Sequence, residues 1–269
     1  MRTIEHRRQR RHFARGIAAA LLAAPLLDLL ACAQALAAPQ DTESIDLRSE
    51  LTALSIALSQ GAIDPWAWQQ SAAKLCADLI AVDLLEELRI ENLVQRLDAE
   101  ASPPRSLVIH AGDDDRPLPR PPGIRHRLFS FAKAEAIVPH GHNNLVSLFI
   151  VLRGRFHARH YDRLADTPTH IVIRPTLDLE LIHGGQTSIS DTHDNVHWFT
   201  ALEDKGLLYN LSITVQRPFE PRQLRPGRVY LDPDGKELAD GSILAPRISR
   251  RSLREKYESV HDPYSLYQR

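Results

Sequence analysis

The stretch Ile137-Val138-Pro139-His140-Gly141-His142-Asn143-Asn144, continued by Leu145-Val146-Ser147-Leu148-Phe149-Ile150-Val151-Leu152 and the turn Arg153-Gly154, decides how the chain is read. Side chains alternate along an extended segment, so His140 and His142, two apart, point to the same side. A second stretch, Asp194-Asn195-Val196-His197-Trp198-Phe199-Thr200-Ala201, brings a third histidine from a distant strand. Together they complete one face of a metal's coordination shell. The other face stays open to small molecules, as a non-haem iron site requires.

Around these stretches the sequence is β in character. Residues 127–131 and 155–161 alternate, and 145–152 is continuously apolar. Further short strands are expected at 170–173 and 177–182, around Pro175, and at 187–190, 196–201, 207–215 and 229–231. Many short strands with turns and no helices between them predict a sandwich or small barrel.

Upstream the periodicity is helical. Leu47, Leu51, Leu54 and Leu58 share one face, and Gln60-Gly61 ends that helix. Asp64-Pro65 reads as an N-cap followed by a first-turn proline. The apolar pattern then runs to about Ala99 and predicts two or three helices, laid over one side of the sheet that follows. Residues 101–123 hold six prolines and Asp113-Asp114-Asp115, and read as loop with a short strand at 107–110. Past Pro246 the chain is basic and polar and reads as a surface tail with one helical turn. The expected organisation is an export signal over 1–38, a helical segment over 39–100, a β-barrel over 101–245 and a tail over 246–269.

The formal net charge of −1 conceals an uneven distribution. Six arginines (2, 7, 8, 10, 11 and 15) stand against Glu5 and Asp28 in the first 38 residues. Removing them from totals of 33 and 34 leaves 27 basic and 32 acidic residues, a charge near −5. That balance argues against nucleic acid as a partner. Arg10-Arg11-His12-Phe13-Ala14-Arg15 resembles a twin-arginine export signal, and the apolar run after it ends in Ala35-Leu36-Ala37, a cleavage pattern. The expected location is periplasmic or secreted, with the twin-arginine export machinery as a partner. Leu29-Leu30-Ala31-Cys32 offers an alternative, a lipoprotein box that would anchor the chain through Cys32. With Cys32 lost, the remaining Cys76 has no internal disulfide partner and reads as a small buried hydrophobe.

A short-stranded barrel with His-x-His, an apolar strand and a distant third histidine resembles the cupin pattern. That resemblance implies a mainly β jelly-roll barrel, the double-stranded β-helix. The usual cupin motif also carries a glutamate shortly after the second histidine, whereas residues 143–147 hold no acid. Three neutral imidazoles leave more positive charge on a metal, which favours an anionic thiolate and leaves a position for dioxygen. Thiol dioxygenases share this departure. The chain is similar to the cysteamine dioxygenase and plant cysteine oxidase family over roughly residues 45–235. Pro139-His140-Gly141-His142 stands for the family's first histidine motif, and Asn195-Val196-His197-Trp198-Phe199-Thr200-Ala201 for its Asn-x-His-x-Phe-Thr-Ala. His160-Tyr161-Asp162 resembles its Ser-Tyr-Asp. Asp194 stands where the family has glycine, and Ser190-Asp191-Thr192-His193 replaces a glycine-rich run.

The resemblance implies Fe(2+) held by His140, His142 and His197, with His193 as an alternate third ligand. It implies oxidation of a small cysteamine- or cysteine-like thiol by O2 to a sulfinate. Tyr161, Tyr209 and Tyr230 are candidates for a hydrogen bond to the reacting oxygen. His157, His160 and His183 read as polar barrel or loop residues, with the alternative that one of them lines the pocket or orients a ligand through its second nitrogen, and His110, His126, His170 and His261 as surface residues. A monomer is expected. The alternatives are another cupin metalloenzyme, such as a ring-cleaving dioxygenase or an isomerase, and a non-catalytic metal- or ligand-binding cupin.

Overall fold

The computed structural model describes residues 47–77, 83–100, 106–109, 123–215 and 227–258. The export segment with Cys32, the acidic run at 113–115, His110 and His261 lie outside the described residues. Helices α1 (Leu47–Ser59), α2 (Pro65–Leu75), α3 (Leu84–Glu87) and α4 (Glu91–Ala99) come first. Strands β1 (Ser106–Val108), β2 (Ile124–Phe131), β3 (Ala136–Asn143), β4 (Leu145–Arg153), β5 (Phe156–Asp166) and β6 (His170–Leu181) follow. Then come β7 (Gln186–Ile189), β8 (Val196–Ala201), β9 (Gly206–Thr214), β10 (Gly227–Tyr230), β11 (Lys236–Glu237), β12 (Ile243–Pro246) and helix α5 (Arg250–Tyr257).

The strands form two antiparallel sheets. One has the order β1-β2-β9-β4-β7, the other β10-β3-β8-β5-β6-β12-β11. Within them, β2-β9-β4-β7 faces β3-β8-β5-β6. From β2 to β9, consecutive strands cross from sheet to sheet everywhere except between β5 and β6, which is the double Greek key of a jelly roll. The mainly β barrel with an N-terminal helical layer, expected from the sequence, is the observed architecture.

β4 shows why its sequence is apolar without a break. Val146, Leu148, Ile150 and Leu152 point outward into a core shared with Leu51, Leu58, Trp68 and Leu93 of the helices. Phe149 and Val151 point inward and pack with Phe156, Phe199 and Leu208. A strand covered on both faces has no position for a polar alternation. Leu148 is fully buried, so its truncation to alanine would cost about 2–5 kcal/mol. The helices begin where their caps dictate: the Asp64 side chain accepts from Ala67 N at 2.9 Å, with Pro65 in the first turn of α2. Among the described residues, no helix is long and apolar enough to cross a membrane.

Three expectations are corrected. Residues 170–173 and 177–182 belong to one strand, β6, which runs through Pro175. Its second neighbour, β12, pairs only from His170 to Ile173, so the proline falls where the outer edge is open and needs no N–H donor. Within the basic C-terminal segment, Arg250–Tyr257 form a docked helix rather than a surface tail with one turn. Leu253 of α5 is fully buried, and Lys256 Nζ and Tyr257 Oη hold Asp232 at 2.8 and 2.5 Å. His126 is buried, not on the surface, because its outward position on β2 lies beneath the helices; its Nδ1 is 2.6 Å from Tyr209 Oη.

Candidate metal centre

His140 and His142 sit on β3, and the register places His140 opposite His197 of β8. His197 in turn pairs with His160 of β5, so three histidines form a row across adjacent strands. His140, His142 and His197 are buried, and one ligand nitrogen from each lies within 4.8 Å of the others. The His140 and His142 Nε2 atoms are 3.0 Å apart. Two nitrogens about 2.1 Å from one ion, at a right angle, would stand about 3.0 Å apart. The donor set therefore fits a metal.

The rings are oriented from behind. His140 Nδ1 donates to Val138 O at 2.8 Å, and His197 Nδ1 donates to Asn195 O at 3.3 Å. Those bonds fix the tautomer and turn Nε2 toward the cavity. Burial keeps the imidazoles neutral, the form that binds metal. It pushes His140 and His142 well below the ordinary histidine value, with each histidine's neighbours and Arg228 adding to the effect. His197 is pushed down to about 3, again chiefly by burial.

Asn195 ties two ligands together. Its side chain donates to His142 O at 2.8 Å and to Ser190 O at 3.0 Å, while its own carbonyl serves His197. Gly141 makes room for it: a Cβ there would stand 2.6 Å from Asn195 Oδ1 and 3.2 Å from Val196 Cγ2.

The other candidates are dispersed. His193 lies in the turn before β8, with its ring 4.2 Å from Trp66, outside the ligand cluster. Tyr161 packs with Val196 and Leu231 on the outer face of its sheet, where burial raises its hydroxyl to about 12. Tyr209 points toward the helices. Tyr230 alone of the three tyrosines lines the cavity, paired with His140 across β10–β3 at a ring separation of 5.8 Å. His160 is fully buried beside His197, its ring near the Thr187 hydroxyl at 3.2 Å, and lies outside the ligand cluster.

The triad opens into a cavity of about 680 Å³. The facing sheet supplies Ser147, Phe149, Asn210 and Ser212 as its wall, and Arg125, Arg127 and Arg228 project into it. Sequence reading missed these arginines. The signal was present in β2, where inward positions alternate as Arg125, Arg127, Phe129 and Phe131, but its inward face could not be told from its outward one.

No family model matches the chain, and no curated protein matches it. Among solved structures, KdgF from Halomonas sp. is similar at 16% identity, covering 44% of this chain and 82% of that one, with a TM-score of 0.29. An 11S globulin from Wrightia tinctoria is 16% identical, covers 40% of this chain and 22% of that one, and has a TM-score of 0.30. A Bacillus halodurans protein is 16% identical, covers 47% and 81% respectively, and has a TM-score of 0.32. Overlaps of this extent bear on neither substrate nor chemistry, and the jelly-roll assignment rests on the strand order.

Proposed function

We propose that the chain is a non-haem iron(II) thiol dioxygenase, exported to the periplasm, that converts a small cysteamine- or cysteine-like thiol and O2 to a sulfinate. The net change is RSH + O2 to RSO2− and H+. One observation carries the reading: three neutral imidazoles converge, and Ser147 stands on the facing wall where a fourth, acidic ligand would reach. Among the described lining residues the carboxylate is Glu258, which Arg254 holds at 2.6 Å.

Iron bound there would supply a Lewis acid that lowers the thiol pKa and a redox centre that reacts with dioxygen. The chain's own residues shape the surroundings. Phe149 and Phe199 pack against His197, at ring separations of 5.4 and 6.1 Å, and keep water from that side. Tyr230 presents a hydroxyl on the His140 side, where it can donate a hydrogen bond to the product oxygens.

The test is oxygen uptake by iron-loaded protein on a panel of small thiols, with mass spectrometry of products made under labelled dioxygen. Two labelled oxygens on sulfur are expected. Oxygen uptake on catechol-type acids alone would point to a ring-cleaving enzyme, and bound metal without turnover of any of these compounds to a binding protein.

A further inference from the structure

The cavity holds more positive charge than the chain neutralises. Arg127 and Arg125 of β2 stand opposite Asn210 and Ser212 of β9, both of which also line the cavity. Arg228 of β10 stands opposite His142. None of the three arginines forms an ion pair among the described residues. The Arg127 Nε is buried with no hydrogen-bond partner. Its guanidinium lies below the usual range because it is desolvated and has Arg228 and Arg125 as neighbours.

A buried donor without a partner is costly, and like charges gathered around it add to the cost. Such an arrangement becomes favourable when a ligand brings the missing acceptor. A guanidinium presents a planar fork that matches a carboxylate in two parallel hydrogen bonds. The histidines add no negative charge, so a divalent metal raises the positive total further.

We propose that the ligand of this cavity carries a carboxylate that seats on Arg127 and Arg228 while its other end reaches the histidine triad. Resting on the thiol reading above, this makes the substrate a short mercaptocarboxylate rather than an aminothiol. A thiolate and a carboxylate on one molecule answer the metal and the arginines together. Cysteamine would set an ammonium among the guanidinium groups.

Anaerobic calorimetric titration of the iron-loaded protein compares 3-mercaptopropionate with cysteamine, which has a similar length and the opposite charge. The expected result is binding of 3-mercaptopropionate at least about 10-fold tighter. Arg228→Met and Arg127→Met should each weaken it by about 10- to 100-fold, and Arg228→Lys should recover part of the loss. Arg228 is exposed on a short strand, so its variants should keep the wild-type circular dichroism. Equal affinity for the two thiols, or folded arginine variants that bind 3-mercaptopropionate like wild type, would overturn the proposal. Glutarate, a dianion without sulfur, separates this proposal from the thiol reading. Arginine-dependent glutarate binding with no oxidation of any thiol upholds the carboxylate seat and ends the dioxygenase reading. Oxidation of cysteamine as fast as 3-mercaptopropionate upholds the dioxygenase and ends the carboxylate seat.

Discussion

The metal-free protein should lose stability between pH 7 and pH 5, above the range in which its lowered carboxylates titrate. His197 is fully buried, with a folded pKa of about 3 against an ordinary 6.5. Above 6.5 the imidazole is neutral in both folded and unfolded chains, so its contribution is level. Below 6.5 the unfolded chain takes up a proton that the folded chain refuses, and stability falls as pH drops toward the folded value. Integrated from pH 7 to pH 5, His197 alone accounts for roughly 2 kcal/mol. Burial shifts His140, His142 and His160 in the same direction, so their shares add. Asp98, Asp178 and Asp240 have lowered values, and their contributions are lost only below the ordinary carboxylate range. The imidazoles therefore set the slope through most of this window, while Asp194, raised by burial, works in the opposite direction because the folded chain takes up its proton first. Against a net stability of about 5–15 kcal/mol, the loss is large. Urea unfolding of chelator-treated protein at pH 7, 6 and 5 measures it, and His197→Gln should flatten the slope. A midpoint that holds constant across the window in wild type would refute the reasoning.

His140→Ala and His197→Ala should each lose most of the bound metal, since two imidazoles hold an ion weakly; full retention in elemental analysis would remove the site. Ser147→Glu should keep iron and lose thiol oxygenation, because Ser147 is a buried cavity residue and its replacement would fill a position the substrates need. A wild-type rate with the carboxylate bound to iron would refute that. Gly141→Ala should lower metal affinity roughly 10-fold in a competition titration, because its Cβ meets Asn195 Oδ1 and displaces the amide that braces His142.

The sequence disclosed those parts of the fold and site that local patterning controls. The i, i+2 spacing of His140 and His142 places both rings on one side whatever surrounds them. The continuous run at 145–152 marks a strand covered on both faces, and Asp64-Pro65 marks a helix start. The tyrosines show where patterning stops. Tyr161 alternates regularly with His160 against β8 and so faces away from the histidines, but which face of β5 is inward is settled only by the pairing of His160 with His197. Tyr209 alternates regularly, yet whether odd positions of β9 face helices or cavity depends on which way the sheet turns. Arg228 and Tyr230 belong to a four-residue strand too short to show a period, and their role comes from pairing with β3.

The three clustered histidines, a candidate metal site, all belong to one sheet, held in mutual register by backbone hydrogen bonds, while Ser147, Asn210 and Arg127 come from the other. This separates two kinds of change. Substitutions along β3 or β8 disturb the histidine cluster itself and are tolerated narrowly. Substitutions along the inward face of β2, β4 and β9 reshape what stands across from the histidines without moving them. One half of the barrel thus serves as a fixed anvil, and the other as an exchangeable die that sets which shape fits against it.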